Sequence, residues 1–535
     1  MGRVIFLSES YSTGAPYKLA GSRLVFTSWY YVESEKGVDW CDDDGNTIKI
    51  RSAFDPMDAR VKWKAKFPNY GIRIKLNKAQ RTGPIFKNDK PWDRRGMAAT
   101  ILKDGGMYRA WGATAWHYNK SEGNNFLCYL ESSDGYEWKK PNCGIYEYAG
   151  NKNNNILSDR VWQFHPGGVF IDPLAPAKER YKWLNEENFT AKEVAGYLGK
   201  YPDDVDSKAL DKITKRGIEN SDGRYIGARG AISEDGIHWE FIESPLVITH
   251  TDTHPTCYYD TQLKKYVAYF RDFATGPQAV TEILPKRWGG WTRSVGRSES
   301  DSFLHFPLPD VVLVPDMSHN PNEVLYTNCR TTIPGAPDHH LMFPSVWDTG
   351  ADCTHVIAAS SYDGKYWQNM PGGSVLDTAE YGQWDGGYVF AYPDLIELPN
   401  GDFALPYTGL DVPHKYPRDL CTRNVGYALW PKGRLAGIAS DEIGEFTTVA
   451  IIPSGNKIFI NAITKRAGYI KIEACDINGN PLHGRSFEDS VQIFGDCYKK
   501  QVLWKEYDNI GVAAGQPVVL RFKMNRAEIY GLDFE

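Results

Sequence analysis

The sequence predicts an all-β protein, a five-bladed β-propeller followed by a C-terminal β-sandwich. Three observations carry that expectation. A seven-residue phrase, S-x-D-G-x-x-W, occurs three times and has two degraded relatives. Short alternating runs fill the intervals between copies. After about residue 438 the repeat stops and a different strand texture begins.

The phrase comes first. Ser132, Asp134, Gly135 and Trp138 form one copy, Ser233, Asp235, Gly236 and Trp239 a second, and Ser361, Asp363, Gly364 and Trp367 a third. Asp-Gly after an alternating run is a hairpin signal, because both turn positions tolerate positive φ. The Ser and Asp side chains can bond turn backbone, and the Trp can cover the hairpin. The phrase is therefore read as a turn and not as chemistry. Asp134 and Asp235 are 101 residues apart, and Asp235 and Asp363 are 128 apart. RSESDSFLHF, with Asp301 and Phe306, splits the second interval into 66 and 62, and Lys432-Gly433 follows Asp363 by 69. The first interval is long because a polar, helix-like segment is inserted at residues 189–217. Five strand-and-turn units of similar period are the signature of a propeller.

Blade starts are read at RRGMAATILKDGGMYRAWG, FHPGGVFIDPLAPAKERYKWL, THPTCYYDTQLKKYVAYFRD, LMFPSVW and GGYVFAYPDLIELPNGDFALPYTG. Beyond them, TTVAIIPSG, KIFINAIT, GYIKIEACDINGNPL and QPVVLRFKM alternate cleanly between Gly, Asn and Pro, as sandwich strands do. The expected domains are a β extension at 1–80 that pads the propeller or the sandwich, the propeller at 81–438, and the sandwich at 439–535.

Bulk properties narrow the partners. Hydrophobic content of 42% and charged content of 24% are ordinary globular values. A net charge of −6 and no long basic run argue against nucleic acid. No stretch of about 18 apolar residues occurs, so no membrane partner is expected, and the start lacks a secretory pattern, so a cytoplasmic location is. Nine cysteines are scattered and never spaced C-x-x-C, which gives no zinc framework. No cofactor is expected, with a metal at the channel left open. The 17 Trp and 32 Tyr serve large cores first, and also suit sugar rings, whose C–H faces stack on aromatics.

The run SSDGYEWKKPNCGIYEYAGNKNNNI, the segment GGVFIDPLAPAKERYK and the C-terminal GRSFEDSVQIFGD resemble the five-bladed glycoside hydrolases of families 32, 43 and 68. Bacterial family 32-like proteins with a C-terminal sandwich are the nearest likeness, which spans about residue 80 to the end. The resemblance implies action on carbohydrate, with furanosides favoured. This chain lacks the W-[ML]-N-D-P-N-G signature that carries the fructan hydrolases' nucleophile, so their chemistry does not transfer.

In a propeller the first strand of each blade lines the channel, so the heads of those strands converge. Glycoside cleavage needs an acid to protonate the leaving oxygen and a second carboxylate on the opposite face. Acids at strand heads are Asp93 in KPWDRRGM, Asp252 in THTDTHPT and Asp385 in GQWDGGYV. His165, His254, His339 and His340 are placed at the same heads, able to bind hydroxyls, tune a carboxylate or ligate a metal, though their spacing matches no metal signature. Arg271 and Arg109 are read at the ends of second strands, and Trp92, Trp162 and Trp384 as sugar platforms. The expected activity is exo-acting removal of one terminal sugar by a carboxylic acid pair. Glycosyl transfer, anhydride formation or phosphorolysis on the same scaffold stays open, as does a non-catalytic glycan-binding propeller. The sandwich is expected to be structural or to form a homo-oligomer.

Overall fold

The computed structural model describes residues 15–33, 38–41, 62–65, 69–114, 125–160, 166–204, 225–249, 251, 253–275, 291–417 and 420–535. The chain forms two compact units. The larger is Lys78–Pro334 with His340–Gly433, and the smaller is Met1–Asn77 with Gly335–His339 and Arg434–Glu535.

The larger unit is built of small antiparallel sheets in chain order, four-stranded except the last, to which Ile396–Glu397 adds a fifth strand. The first contains Met97–Asp104, Met107–Thr114, Leu127–Ser132 and Ile156–Ser158. Next come Gly168–Ile171, Tyr181–Phe189, Tyr225–Ser233 and Glu240–Phe241, then Thr256–Asp260, Lys265–Thr275, Trp291–Ser300 and Asp310–Leu313. The last holds Tyr388–Ala391, Phe403–Leu410 and Arg423–Trp430, and its outermost strand is Gln80–Arg81, from ahead of the first blade. Met97–Asp104 packs on Gly168–Ile171, which packs on Thr256–Asp260; Phe403–Leu410 packs back on Met97–Asp104. The ring therefore closes, and the borrowed strand joins its end to its beginning.

Between the third and last sheets lie two short ones that make one interrupted blade. Glu323–Leu325, Ser345–Asp348, Cys353–Val356 and Leu376–Asp377 form the first, and Arg330–Ile333, Ala336–Met342, Ala359–Ser361 and Gln368–Asn369 the second. Carried along the strands, the pairing Ser345↔Val356 of the first arrives at His340↔Ser361 of the second, in unbroken register. The interruption falls at 326–329, where buried Cys329 takes a φ of 44°, a left-handed value that ends regular pairing. Counted as one blade, the pair brings the sheets among the described residues of this unit to five. One expected boundary changes: LMFPSVW lies on the second strand of this blade, and its first strand is the stretch from Glu323 to Ile333.

The repeated phrase does what its residues predict, and more. Asp134 Oδ1 accepts from the amides of Tyr136 and Glu137, Ser132 Oγ from that of Gly135, and Trp138 Nε1 donates to the Gly135 carbonyl at 3.0 Å. The copies at Asp235 and Asp363 repeat these bonds. Each Gly carbonyl also accepts from the preceding blade. Tyr427 Oη donates to Gly135 O at 2.9 Å, Trp111 Nε1 to Gly236 O at 2.7 Å, and Tyr269 Oη to Gly364 O at 2.6 Å. The turns are clasps between blades. Lys432-Gly433 differs: after it the chain leaves the ring, since the fourth strand is already supplied by Gln80–Arg81.

The insertion in the second blade includes the helix Ala191–Lys200, closed at its start by a capping box between Thr190 and Glu193. In the smaller unit Ile458–Cys475 and Val519–Phe534 are long strands with bulges at Asn461/Ala462 and Thr464/Tyr469, which bend the sheet. N-terminal strands belong to it: Arg23–Val25 pairs with Gly531–Asp533, and Arg73–Leu76 with Ala436–Ala439. Phe446 stacks on Phe522 at 4.5 Å, with Phe26 edge-on to both, so one core is drawn from both ends of the sequence.

Candidate active site

The strands of the ring converge around Tyr392, just past the first strand of the last blade. His254, from the head of the third blade, sits edge-on to its ring at 4.6 Å. The Thr100 hydroxyl of the first blade lies 3.4 Å from His254 Nε2 and donates to Gly167 O at 2.7 Å, which brings in the second blade. The fourth blade enters through Asn328, whose amide nitrogen donates to His254 O at 3.1 Å while its oxygen accepts from Thr256 Oγ1 at 2.8 Å. The broken strand at 326–329 thus has a use, since it exposes backbone and side-chain polar groups to the third blade. Arg271 completes that edge by donating to the Tyr326 carbonyl.

Two further carboxyls stand near Tyr392, Glu186 in space and Asp394 in sequence, and neither is among the acids read at the strand heads. Glu186, on the second strand of the second blade, is fully buried. Burial raises the Tyr392 hydroxyl pKa above its usual value; nearby Arg423 opposes the rise and the charge of Glu186 adds to it. Asp394 lies two residues after Tyr392, half-buried, with its amide bonded to Ile101 O at 2.7 Å. Burial pushes its carboxyl up to about 6, against the pull of Arg330 and a hydrogen bond from Thr331. The sequence signals were faint. Glu186 stands in NEEN, a polar run that breaks a buried strand, and Asp394 is one of two acids in the otherwise apolar AYPDLIEL.

The acids named from the sequence have other surroundings. Asp93 is buried, accepts from the Lys90 amide at 2.8 Å and pairs with the Lys140 ammonium. Burial raises its carboxyl, and Lys140 draws it back down. Trp92 beside it donates to Asn155 Oδ1 at 3.0 Å and packs edge-on to Tyr148. Asp385 is also buried, held by Arg81 at 2.9 Å and the Tyr407 hydroxyl at 2.9 Å, with Trp384 stacked on Tyr407. The two W-D pairs are one device used in two blades, a buried acid tied to a cation beside a packed indole. A Cβ at Gly409 or Gly426 would meet the Trp384 ring at 2.5 or 2.9 Å, so this packing needs glycine.

The histidines separate. Burial pushes His254 down to about 3, so it is neutral around pH 7 and acts as a hydrogen-bonding group. His340 is bonded at 2.6 Å to Arg330, which lies over the Tyr258 ring and also draws on Asp394. His339 belongs to the smaller unit, 2.9 Å from Val25 O and stacked on Tyr31. Both shift from the expected position because their segment is a second strand just after its hairpin turn. Arg109 likewise begins its strand, bonded to Tyr129 and to Asp235 O. Asp252, His165 and Trp162 lie outside the described residues. Among the described residues no group of three or more His, Cys, Asp and Glu side chains is arranged to hold a metal ion.

No protein-family model matches the chain, and no curated protein does either. Solved structures do. It is similar to a glycoside hydrolase at 12% identity, covering 68% of this chain and 92% of that one, with a TM-score of 0.37. An N-acetylgalactosamine deacetylase from F. plautii in complex with blood group B trisaccharide matches at 13% identity over 68% of this chain and 96% of that one, TM-score 0.38. A Bombyx mori family 32 β-fructofuranosidase matches at 9% identity over 82% and 91%, TM-score 0.34. At such identities and scores none of them fixes the role of a residue here.

Proposed function

We propose that the ring is a glycoside hydrolase that removes a terminal sugar at its centre, with Asp394 as proton donor and Glu186 as the facing carboxylate. One observation carries the reading: an acid held near pKa 6 lies two residues from Tyr392, whose hydroxyl also feels the charge of fully buried Glu186. Glycosidases work by such unequal pairs, in which one carboxyl stays protonated near neutral pH and donates to the leaving oxygen. The second carboxylate then stabilises the developing positive charge, as nucleophile or as base to water. Neutral His254, Asn328 and Thr100 supply directional donors and acceptors for sugar hydroxyls. The motif resemblance favours a furanoside.

The test is a panel of p-nitrophenyl furanosides and pyranosides, with and without phosphate, against wild type and Glu186→Gln, Asp394→Asn, Asp93→Asn, Asp252→Asn and Asp385→Asn. Loss of about 10²–10⁴ in kcat for the first two, with folding intact, supports the assignment. Loss confined to Asp93, Asp252 or Asp385 moves the chemistry to the strand heads. No turnover beside measurable glycan binding leaves a lectin-like ring.

A further inference from the structure

The broken first strand of the fourth blade grips a neighbour on either side. Its stretch Asn328–Thr331 is buried throughout. Toward the third blade, Asn328 Oδ1 accepts from Thr256 Oγ1 at 2.8 Å and from the Arg330 amide at 3.0 Å. The Arg330 guanidinium stands 3.2 Å from the centroid of the Tyr258 ring, and its Nη2 donates to His340 Nδ1 at 2.6 Å. Toward the last blade, Thr331 Oγ1 accepts at 3.0 Å from the Leu395 amide, in the peptide that follows Asp394.

A guanidinium only donates, so His340 Nδ1 is the acceptor and carries no proton in this bond. Arg330 is therefore a buried cation held by an imidazole lone pair and a ring face. Its Nε has no hydrogen-bond partner, and it makes no salt bridge among the described residues. Its field acts on Tyr258, Tyr269 and Cys257, all kept protonated by burial, and on the carboxyl of Asp394. A positive charge in a buried site favours the carboxylate, and so does a hydrogen bond to it. The Thr331 hydroxyl has one proton to give. The Thr332 carbonyl at 3.4 Å is a long acceptor, and a carboxylate is the stronger one. Cys329, beside them, feels the same acid, whose charge adds to the effect of burial in pushing its thiol up.

We propose that Arg330 and Thr331 are positioning residues for Asp394: Thr331 fixes the chain and the carboxyl, and Arg330, locked by His340 and Tyr258, supplies the permanent charge that governs when the acid releases its proton. The inference rests on the reading of Asp394 as proton donor and names what tunes it.

The experiment follows the Asp394 carboxyl by carbon-13 NMR through a pH titration of the full chain labelled at aspartate, with Asp394→Asn identifying the signal. Wild type is compared with Arg330→Gln, Arg330→Lys and Thr331→Val. Removing the charge in Arg330→Gln should raise the midpoint by about one pH unit, and Arg330→Lys should restore most of it. Thr331→Val should raise it by about half a unit, and serves if Arg330→Gln fails to fold. The alkaline limb of kcat/KM should move upward by the same amounts, a change that a merely structural role would not produce. A midpoint that stays in place in the variants that fold, or moves as far in Arg330→Lys as in Arg330→Gln, overturns the inference. Because the carboxyl is read without substrate, a shifted midpoint beside no turnover sinks only the hydrolase reading. Turnover that depends on Asp394, with an unmoved midpoint, sinks only this one.

Discussion

The rim of the ring repeats itself and the centre does not. At the rim, Ser, Asp, Gly and Trp build the same turn three times, and each time an aromatic of the preceding blade bonds the same glycine carbonyl. At the centre each blade gives something different: Thr100, Glu186, His254, Asn328, then Tyr392 with Asp394. The rim solves one problem, blade-to-blade closure, that is identical at every interface. Binding an asymmetric molecule is a different problem, and identical groups around an axis cannot solve it. What repeats is therefore architecture, and what breaks the repeat is the candidate site.

Substitutions can break that comparison. The largest effect is expected at the centre, where Glu186→Gln and Asp394→Asn should each lower kcat by about 10²–10⁴ and leave the far-ultraviolet circular dichroism unchanged. A comparable loss from a rim residue would erase the distinction. At the rim, Gly236→Ala should be the most damaging for folding. Its φ is 76°, and an added Cβ would lie 2.8 Å from the Trp111 ring. A loss of about 2–4 kcal/mol in urea unfolding is expected, with normal activity in molecules that remain folded.

The pH dependence of Asp394→Asn sharpens the contrast. The wild-type carboxyl titrates at about 6 in the folded protein against 3.8 for the unfolded reference. Across that window the folded state binds the proton more tightly, so wild-type stability is greatest below it and falls as pH rises through it. Asparagine does not titrate. The variant should therefore match wild type near about pH 4 and melt at a higher temperature than wild type above about pH 6. A variant less stable at pH 8 would mean that the charged form is well satisfied. The smallest effect is expected from Asp134→Ala, which removes two amide partners in an outer turn and should cost about 1 kcal/mol with kcat unchanged.

Legibility followed the same division. The S-x-D-G-x-x-W turns, the near-70-residue period and the change of texture after the last blade could be read directly, because hairpin geometry depends on a few adjacent residues. The blade-four boundary could not, because its first strand is broken at a left-handed cysteine and looks like two fragments. Asp93 and Asp385 read as acids beside Trp and Gly at strand heads, and those same neighbours fit either a catalytic acid or a packed one tied to a cation. The cations that hold them, Lys140 and Arg81, come from 47 residues after the one and 304 before the other, beyond what local spacing can give.

The sequence by itself determined the all-β class, the ring's repeat and the turns that fasten it, since each is written in local spacing. Tertiary structure alone decided that buried Glu186 acts on Tyr392, that His254 stays neutral and that His340 is bonded to Arg330. Those outcomes depend on burial and on neighbours from other blades. Strand alternation gives which way a side chain points within its own sheet, but not which charge will stand opposite it once the ring has closed.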